Sequence, residues 1–134
     1  MNDNAKAWVK ALRSGDYKQG RGKLRDGSLF CCLGVACDLA IKAGLVSERG
    51  HPFYWGCAAV GDDYVSDGDP DFNRSGNLPF RVMEWLGLRT QSGHMLNGKF
   101  LVDINDDIMS PSDFNKIADI IESEPAGLFA DKTK

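Results

Sequence analysis

The sequence predicts a single compact α+β domain of about four helices with short antiparallel hairpins. Its 134 residues are 43% hydrophobic and 26% charged, as in an ordinary globular domain with room for one core. Several segments carry apolar residues at helical spacing, and two glycine-containing turns separate short apolar runs. We expect the domain to cover residues 1–125 and residues 126–134 to form a loose tail.

The first predicted helix runs from Ala5 to Leu12. Asn4 is its candidate N-cap, and Trp8 and Val9 belong to an apolar stripe at helical spacing. This stripe predicts that one face of the helix packs on the core.

A glycine-rich loop leading into a hairpin is predicted next, in the segment YKQGRGKLRDGSLF. Asp26 and Gly27 suit a tight turn between Lys23–Arg25 and Ser28–Phe30.

The second predicted helix begins at Cys31 or Cys32 and reaches Ala43. Gly44 then occupies the position of a left-handed cap. Because this helix is apolar on nearly all sides, it is expected in the centre of the fold.

Residues 47 to 77 are predicted to be irregular. A third helix follows from Leu78 to Leu86, with Asn77 as a candidate cap and Gly87 as its stop. The dipeptide Asn97-Gly98 then indicates a hairpin. The strands of that hairpin are predicted at Met95–Leu96 and Lys99–Val102.

The last helix is predicted from its termini and its apolar spacing. Ser110 is the expected cap, Asp113 lies in the first turn, and Pro125 closes the helix. Apolar residues between Phe114 and Ile121 repeat at helical intervals.

The net charge of −3 disfavours extensive nucleic-acid binding, which needs a dominant positive field. The sequence has no apolar run of about 18 residues and no signal-peptide pattern, so a cytoplasmic protein without membrane contact is expected. The four cysteines are expected to be reduced and mostly buried.

Three stretches of the chain, in order, resemble a small uncharacterised family of phage and bacterial hypothetical proteins with a Cys-Cys-Leu-Gly-Val block before a central helix. They are YKQGRGKLR with FCCLGVACDLA, then LPFRVMEWLGL, and then IND followed by DFNKIADIIES. The resemblance implies a phage or prophage context, hence the host cytoplasm if phage-encoded. It implies no activity.

A cluster of four basic residues with interspersed glycines gives the leading functional hypothesis, a non-enzymatic binding module for a small anionic, nucleotide-like ligand. Glycines allow close backbone approach to an anion, and Arg offers paired donors. The segment is not a P-loop, because Gly-Lys-Ser/Thr is missing. The alternative is a solvated basic turn. The candidate ligand-binding residues, with two aromatic residues that could stack on a base, are Tyr17, Lys18, Arg21, Lys23, Arg25 and Trp55.

An acidic loop gives the second hypothesis, a protein–protein inhibitor or adaptor that binds a basic host protein. Such a charge cluster can steer a basic surface. Solvation of the loop or an intramolecular contact with the basic loop would explain it equally well. Its acidic residues are Asp62, Asp63, Asp67, Asp69 and Asp71.

A cysteine hydrolase is the third hypothesis, with Cys32 as nucleophile at a helix N-terminus and His94 as base. Asp103 or Asn105 could orient the histidine. The run from Cys32 faintly resembles the cysteine helix of papain-like peptidoglycan peptidases, but Leu33 replaces the serine of their Cys-Ser-Gly. A covered core thiol is the stronger interpretation, and it predicts slow alkylation.

No metal site or cofactor is predicted. Cys32 and Cys37 lie about 140° apart around a helix, so they cannot share one ion. The alternating carboxylates of the acidic loop resemble an EF-hand opening. However, Phe72 replaces the glycine and Leu78 replaces the glutamate that such a loop needs.

Overall fold

Five helices and two small sheets form an α+β fold in the part of the chain that the structure describes, which confirms the predicted fold class. The structure is a computed structural model that describes residues 1–21, 25–26, 28–50, 55–59, 78, 80–107 and 109–130, with backbone alone for 25–26, 46–50 and 55–59. In chain order the elements are α1 (Asp3–Arg13), β1 (Lys18–Gln19), β2 (Arg25–Asp26), β3 (Leu29–Phe30), α2 (Cys32–Lys42), β4 (Val46–Gly50), β5 (Trp55–Ala59), α3 (Phe80–Leu86), α4 (Leu101–Asp106) and α5 (Phe114–Glu122).

Helix α1 begins two residues earlier than predicted and has a different cap. The side chain of Asn2 accepts a hydrogen bond from the amide of Ala5 at 2.8 Å. Asn4, the predicted cap, lies inside the helix and donates its side-chain amide to the carbonyl of Trp85 at 3.0 Å. The predicted apolar stripe is confirmed, because Trp8 is fully buried.

The first sheet has the order β1–β3–β2. Strands β2 and β3 are antiparallel, as the predicted hairpin requires, although Asp26 pairs with Leu29 and so belongs to a strand instead of the turn. Strands β1 and β3 are parallel, which the sequence analysis did not predict. Gly20 permits their close approach, because a Cβ there would lie 2.7 Å from the Cβ of Leu29.

Helix α2 lies in the centre of the fold, as its apolar surface predicts. All residues of Cys32–Cys37 are buried. Cys31 is the N-cap, and its sulfur accepts a hydrogen bond from the amide of Gly34 at 3.4 Å. The helix ends at Lys42, and Gly44 has the predicted left-handed conformation with φ of +80°.

One buried asparagine connects three elements of the fold. The side-chain oxygen of Asn105, in α4, accepts hydrogen bonds from the amide of Cys32 at 3.1 Å and from the side chain of Gln19 at 3.0 Å. Its side-chain nitrogen donates to the carbonyl of Gly20 and to the carboxylate of Asp106, both at 2.9 Å. We call this cluster the Asn105 hub. It satisfies the first amide of α2, which has no partner within its helix.

The prediction of an irregular segment over residues 47 to 77 is wrong for two stretches. Strands β4 and β5 pair in antiparallel register, from Val46 opposite Ala59 to Gly50 opposite Trp55. Their sequences, VSERG and WGCAA, lack the alternating apolar pattern of a half-buried strand and contain a single β-branched residue, Val46. The pairing is therefore visible only in the folded chain.

The predicted second hairpin is only partly correct. The turn at Asn97-Gly98 forms, with φ of +88° at Gly98, and His94 bridges Phe100 in antiparallel fashion. The predicted strand Lys99–Val102 is wrong, because helix α4 starts at Leu101. Helical hydrogen bonding begins at once, with Ile104 donating its amide to Phe100 at 3.0 Å.

Helix α3 starts at Phe80, later than predicted, and Gly87 ends it with φ of +77° as expected. Asn77, its predicted cap, lies outside the described residues.

Helix α5 is capped by Asp113, whose carboxylate accepts a hydrogen bond from the amide of Lys116 at 2.8 Å. The prediction of Ser110 as the cap is wrong, because the helix begins at Phe114. Aspartate is as good a cap as serine, and it lies directly before the first helical residue.

The segment that follows α5 differs from the predicted loose tail. Leu128 is fully buried, and its carbonyl accepts a hydrogen bond from the amide of Arg89 at 3.0 Å. Phe129 forms a bridge with Leu88. Residues 126–130 therefore pack on the domain.

Candidate functional site

Tyr17 lies between α1 and α2, directly before β1. Gly15 has φ of +80°, which lets the chain reverse direction after α1. The ring of Tyr17 meets the ring of Phe30 edge to face, with centroids 5.1 Å apart, and its hydroxyl donates a hydrogen bond to the carboxylate of Asp38. Burial of Tyr17, and after it the bond to Asp38, raises the pKa of its hydroxyl.

Lys42 completes a polar cluster around the Tyr17 hydroxyl. Its ammonium lies 3.0 Å from the carboxylate of Asp38, one helical turn away, and 3.3 Å from the Tyr17 oxygen. It also lies 5.5 Å from the centroid of the Tyr17 ring, within range of a cation–π interaction. The hydrogen bond to Asp38, followed by that to Tyr17, raises the pKa of Lys42.

A cavity of about 350 Å³ opens beside this cluster, and we call it the Tyr17 groove. Its volume falls at the small end of the range for ligand pockets, about 300–1,000 Å³. Apolar side chains line it together with two lysines and one carboxylate. The lining residues are Ala7, Lys10, Ala11, Ser14, Asp16, Tyr17, Leu39 and Lys42.

A second groove of about 420 Å³ adjoins the first across Lys10 and Ser14. Lys6 and Arg13 line it as well. The guanidinium of Arg13 already has two partners on α5. It lies 2.6 Å from the carboxylate of Asp119 and 3.1 Å from that of Glu122. Lys6 and Lys10 form no ion pair with any residue whose side chain is described.

The predicted basic loop does not line the Tyr17 groove in the part of it that is described. Lys18 and Arg21 are exposed, and Lys18 points to the opposite face of β1 from Gln19, because side chains alternate along a strand. Lys23 and the side chains of Arg25 and Trp55 lie outside the described residues, as do the five aspartates of the acidic loop. Of the candidate ligand-binding residues, Tyr17 alone lines the groove among the described side chains.

Sequence reasoning missed Lys10 and Lys42 as groove residues. Asp38 and Lys42 are four apart, a spacing that indicates an ion pair on one helical face. This signal identifies a charged face of α2, but only the packing of α1 against α2 places Lys10 and Tyr17 beside it.

Cys32 is fully buried, which confirms that it is a covered thiol. Its sulfur lies 3.8 Å from the carbonyl of Leu101, and burial raises its pKa well above the usual range for cysteine. Burial likewise raises the pKa of Cys31 to about 12. A protonated, inaccessible sulfur is a poor nucleophile.

The residues proposed to assist Cys32 have other contacts. The ring of His94 stacks on Phe100, with centroids 4.2 Å apart and an angle of 8° between the planes. Of the two residues proposed to orient this histidine, Asn105 is occupied, because both polar atoms of its side chain form hydrogen bonds within the hub. Asp103 is exposed.

The described residues contain neither a metal-binding cluster nor a membrane-spanning helix. No group of three or more His, Cys, Asp or Glu side chains there could hold a metal ion. In the same part of the chain, no helix combines the length and apolar character that crossing a membrane demands.

Comparison with protein-family models places the chain in a family. The family model of a domain of unknown function, DUF8296, matches residues 1–125, and the chain therefore belongs to this family. Comparison with curated proteins and with solved structures gives no match. The resemblance to an uncharacterised family is thus confirmed, whereas the phage context remains a prediction.

Proposed function

We propose that this DUF8296 protein is a non-enzymatic binding module that holds a small anionic ligand in the Tyr17 groove. One observation carries the proposal: an aromatic side chain, Tyr17, and two cations, Lys10 and Lys42, line a single cavity of ligand size. A ring that can contact a flat ligand and ammonium groups that attract negative charge are the features that a small anion with a flat ring requires.

The exposed basic residues of the predicted loop have a secondary part in this proposal. Lys18 directly follows Tyr17, and Arg21 lies three residues further along. Exposed cations near the segment that carries Tyr17 can raise the local concentration of anions without contacting the bound ligand. A phage origin, a cytoplasmic location and sequestration of a host molecule are the biological setting that we propose for this activity.

Burial weighs against the cysteine hydrolase alternative. A nucleophile must meet its substrate, and Cys32 has no exposed surface. The adaptor hypothesis rests on the acidic loop, and it stays a prediction. It is tested by a host pull-down in which the triple change of Asp67, Asp69 and Asp71 to asparagine removes the captured protein.

Titration of the full-length, isotope-labelled protein with several anions tests the proposal. Inorganic phosphate, AMP, ATP and 2-naphthoate cover a range of charge and size. We expect at least one of them to shift the amide resonances of residues 7–17 and 38–42 in a saturable manner. Replacement of Lys10 by alanine should weaken this binding, and Lys116→Ala, at an exposed site on α5, is the matched control. Absence of saturable shifts with all four anions would rule the proposal out.

A further inference from the structure

We infer that the Tyr17 groove selects a flat, largely apolar monoanion, of the class of aromatic carboxylates, over polyphosphates. This inference rests on the proposed function and narrows its ligand class. It follows from the number of uncompensated charges at the groove and from the apolar character of its lining.

The groove has two cations, but one of them already has a partner. The Lys42 ammonium lies 3.0 Å from Asp38 and 3.3 Å from the Tyr17 oxygen. Asp16 adds a negative charge to the lining. Lys10, which has no ion pair among the described side chains, is therefore the single cation that a ligand can neutralise without breaking an existing contact.

The neighbouring groove adds one further cation without an ion pair among the described side chains, Lys6, whereas its Arg13 is already paired. Its guanidinium binds both Asp119 and Glu122, and these two hydrogen-bonded carboxylates raise its pKa. A polyphosphate carries several charges, which proteins match with several charged donors or with successive backbone amides. A polyphosphate that extended from the Tyr17 groove into the neighbouring one would meet Lys6 but also the carboxylates of Asp16 and Glu122.

The remaining lining favours an apolar ligand body. Ala7 and Ala11 come from α1, Leu39 comes from α2, and the Tyr17 ring lies between the two helices. None of the three aliphatic side chains can offer a hydrogen bond, so a sugar or a phosphate chain placed against them would lose contacts with water and gain none. A flat hydrocarbon ring removes this surface from water at no such cost.

Three probes test the inference: 2-naphthoate, its uncharged analogue 2-naphthalenemethanol, and ATP. Each is titrated into the full-length labelled protein, and dissociation constants are taken from the groove resonances. We expect 2-naphthoate to bind about fivefold more tightly than the alcohol, which is the upper range for one exposed ion pair. Lys10→Ala should reduce this ratio to about one, whereas Lys116→Ala should leave it unchanged. ATP should bind more weakly than 2-naphthoate.

The other outcomes separate this inference from the proposal on which it rests. Tighter binding of ATP than of 2-naphthoate would overturn the inference but retain an anion-binding groove. Equal affinity for the acid and the alcohol, or a ratio that survives Lys10→Ala, would also overturn it. If no probe and no other anion bound, the inference and the proposed function would fail together.

Discussion

The Asn105 hub and the Tyr17 groove are polar regions built on one short segment, residues 17–20, and they use it in opposite ways. In the hub, Gln19 and the carbonyl of Gly20 meet a buried amide whose oxygen and nitrogen both have partners. In the groove, Tyr17 and Lys42 bind each other and Asp38 at the edge of solvent, and Lys10 stays available. Polar groups that are buried and fully paired hold the fold together, whereas partly solvated ones can exchange water for a ligand.

The largest expected effect is on the alkylation rate of Cys32, because the hub is buried whereas the groove is open to solvent. Cys32 donates its amide to the hub, and its buried thiol should react with iodoacetamide about a thousandfold more slowly in the folded protein than in urea at the same pH. Alkylation is followed on the peptide that contains Cys32 by mass spectrometry. Rapid labelling at neutral pH would show that this end of α2 is open to solvent, and it would restore the cysteine hydrolase hypothesis.

The next effect concerns the stability that the hub provides. Asn105→Ala removes two accepted and two donated hydrogen bonds and leaves buried partners unsatisfied, so we expect a loss of about 3 kcal/mol or more in the free energy of unfolding. Urea denaturation measures this loss. Asn115→Ala, at an exposed position of α5, should change stability by less than about 0.5 kcal/mol. A loss below about 1 kcal/mol for Asn105→Ala would mean that the hub contributes little.

Two glycine-to-alanine variants test the close packing at the start of α4, the helix that carries Asn105. Gly93 has φ of +73°, and a Cβ there would lie 2.7 Å from the Cβ of Leu101, the first residue of α4. Gly93→Ala therefore combines backbone strain with a steric clash, and we expect about 2–4 kcal/mol of destabilisation. Gly44→Ala has the same strain at φ of +80° with open space around it, and should cost about 1 kcal/mol. Equal thermal shifts for the two variants would contradict the close packing at Leu101.

The smallest effect belongs to the groove. Tyr17→Phe removes the hydrogen bond to Asp38, and at neutral pH we expect a loss of about 1 kcal/mol. Because the folded-state pKa of Tyr17 is raised above its usual value of 10.0, this contribution should persist below pH 10 and disappear as the pH rises through the folded-state pKa. Urea denaturation of both proteins between pH 7 and pH 11 checks this. A stability difference that grows above pH 10 would contradict the assignment.

Much of the fold could be predicted from local patterns. The apolar surface of α2 predicts its central position, and Gly44 and Gly87 end helices as expected because both adopt positive φ. The N-cap of α1 was harder to predict, because Asn2 and Asn4 are the same residue type and suit the position equally well. Both side chains donate to the carbonyl of Trp85, a partner 81 or more residues away that no local pattern reveals.

The candidate site was less predictable, for a geometric reason. Basic residues that are close to Tyr17 in sequence, such as Lys18 and Arg21, do not line the Tyr17 groove. Lys10 and Lys42 do share it, although 31 positions of sequence lie between them, because α1 packs against α2. A groove between two helices depends on how the helices pack. The sequence pattern of one helix predicts only the lining residues on that helix.

Asn105 sets a limit on how far this sequence can change. Aspartate at this position would keep the acceptors but lose the donor to Gly20, and leucine would lose both functions. Glutamine would bring a longer side chain into a site with no exposed surface. Exposed residues can change at little cost to the fold, whereas Asn105 has no close substitute. We therefore expect distant members of the family to keep asparagine at this position together with glutamine at the position of Gln19.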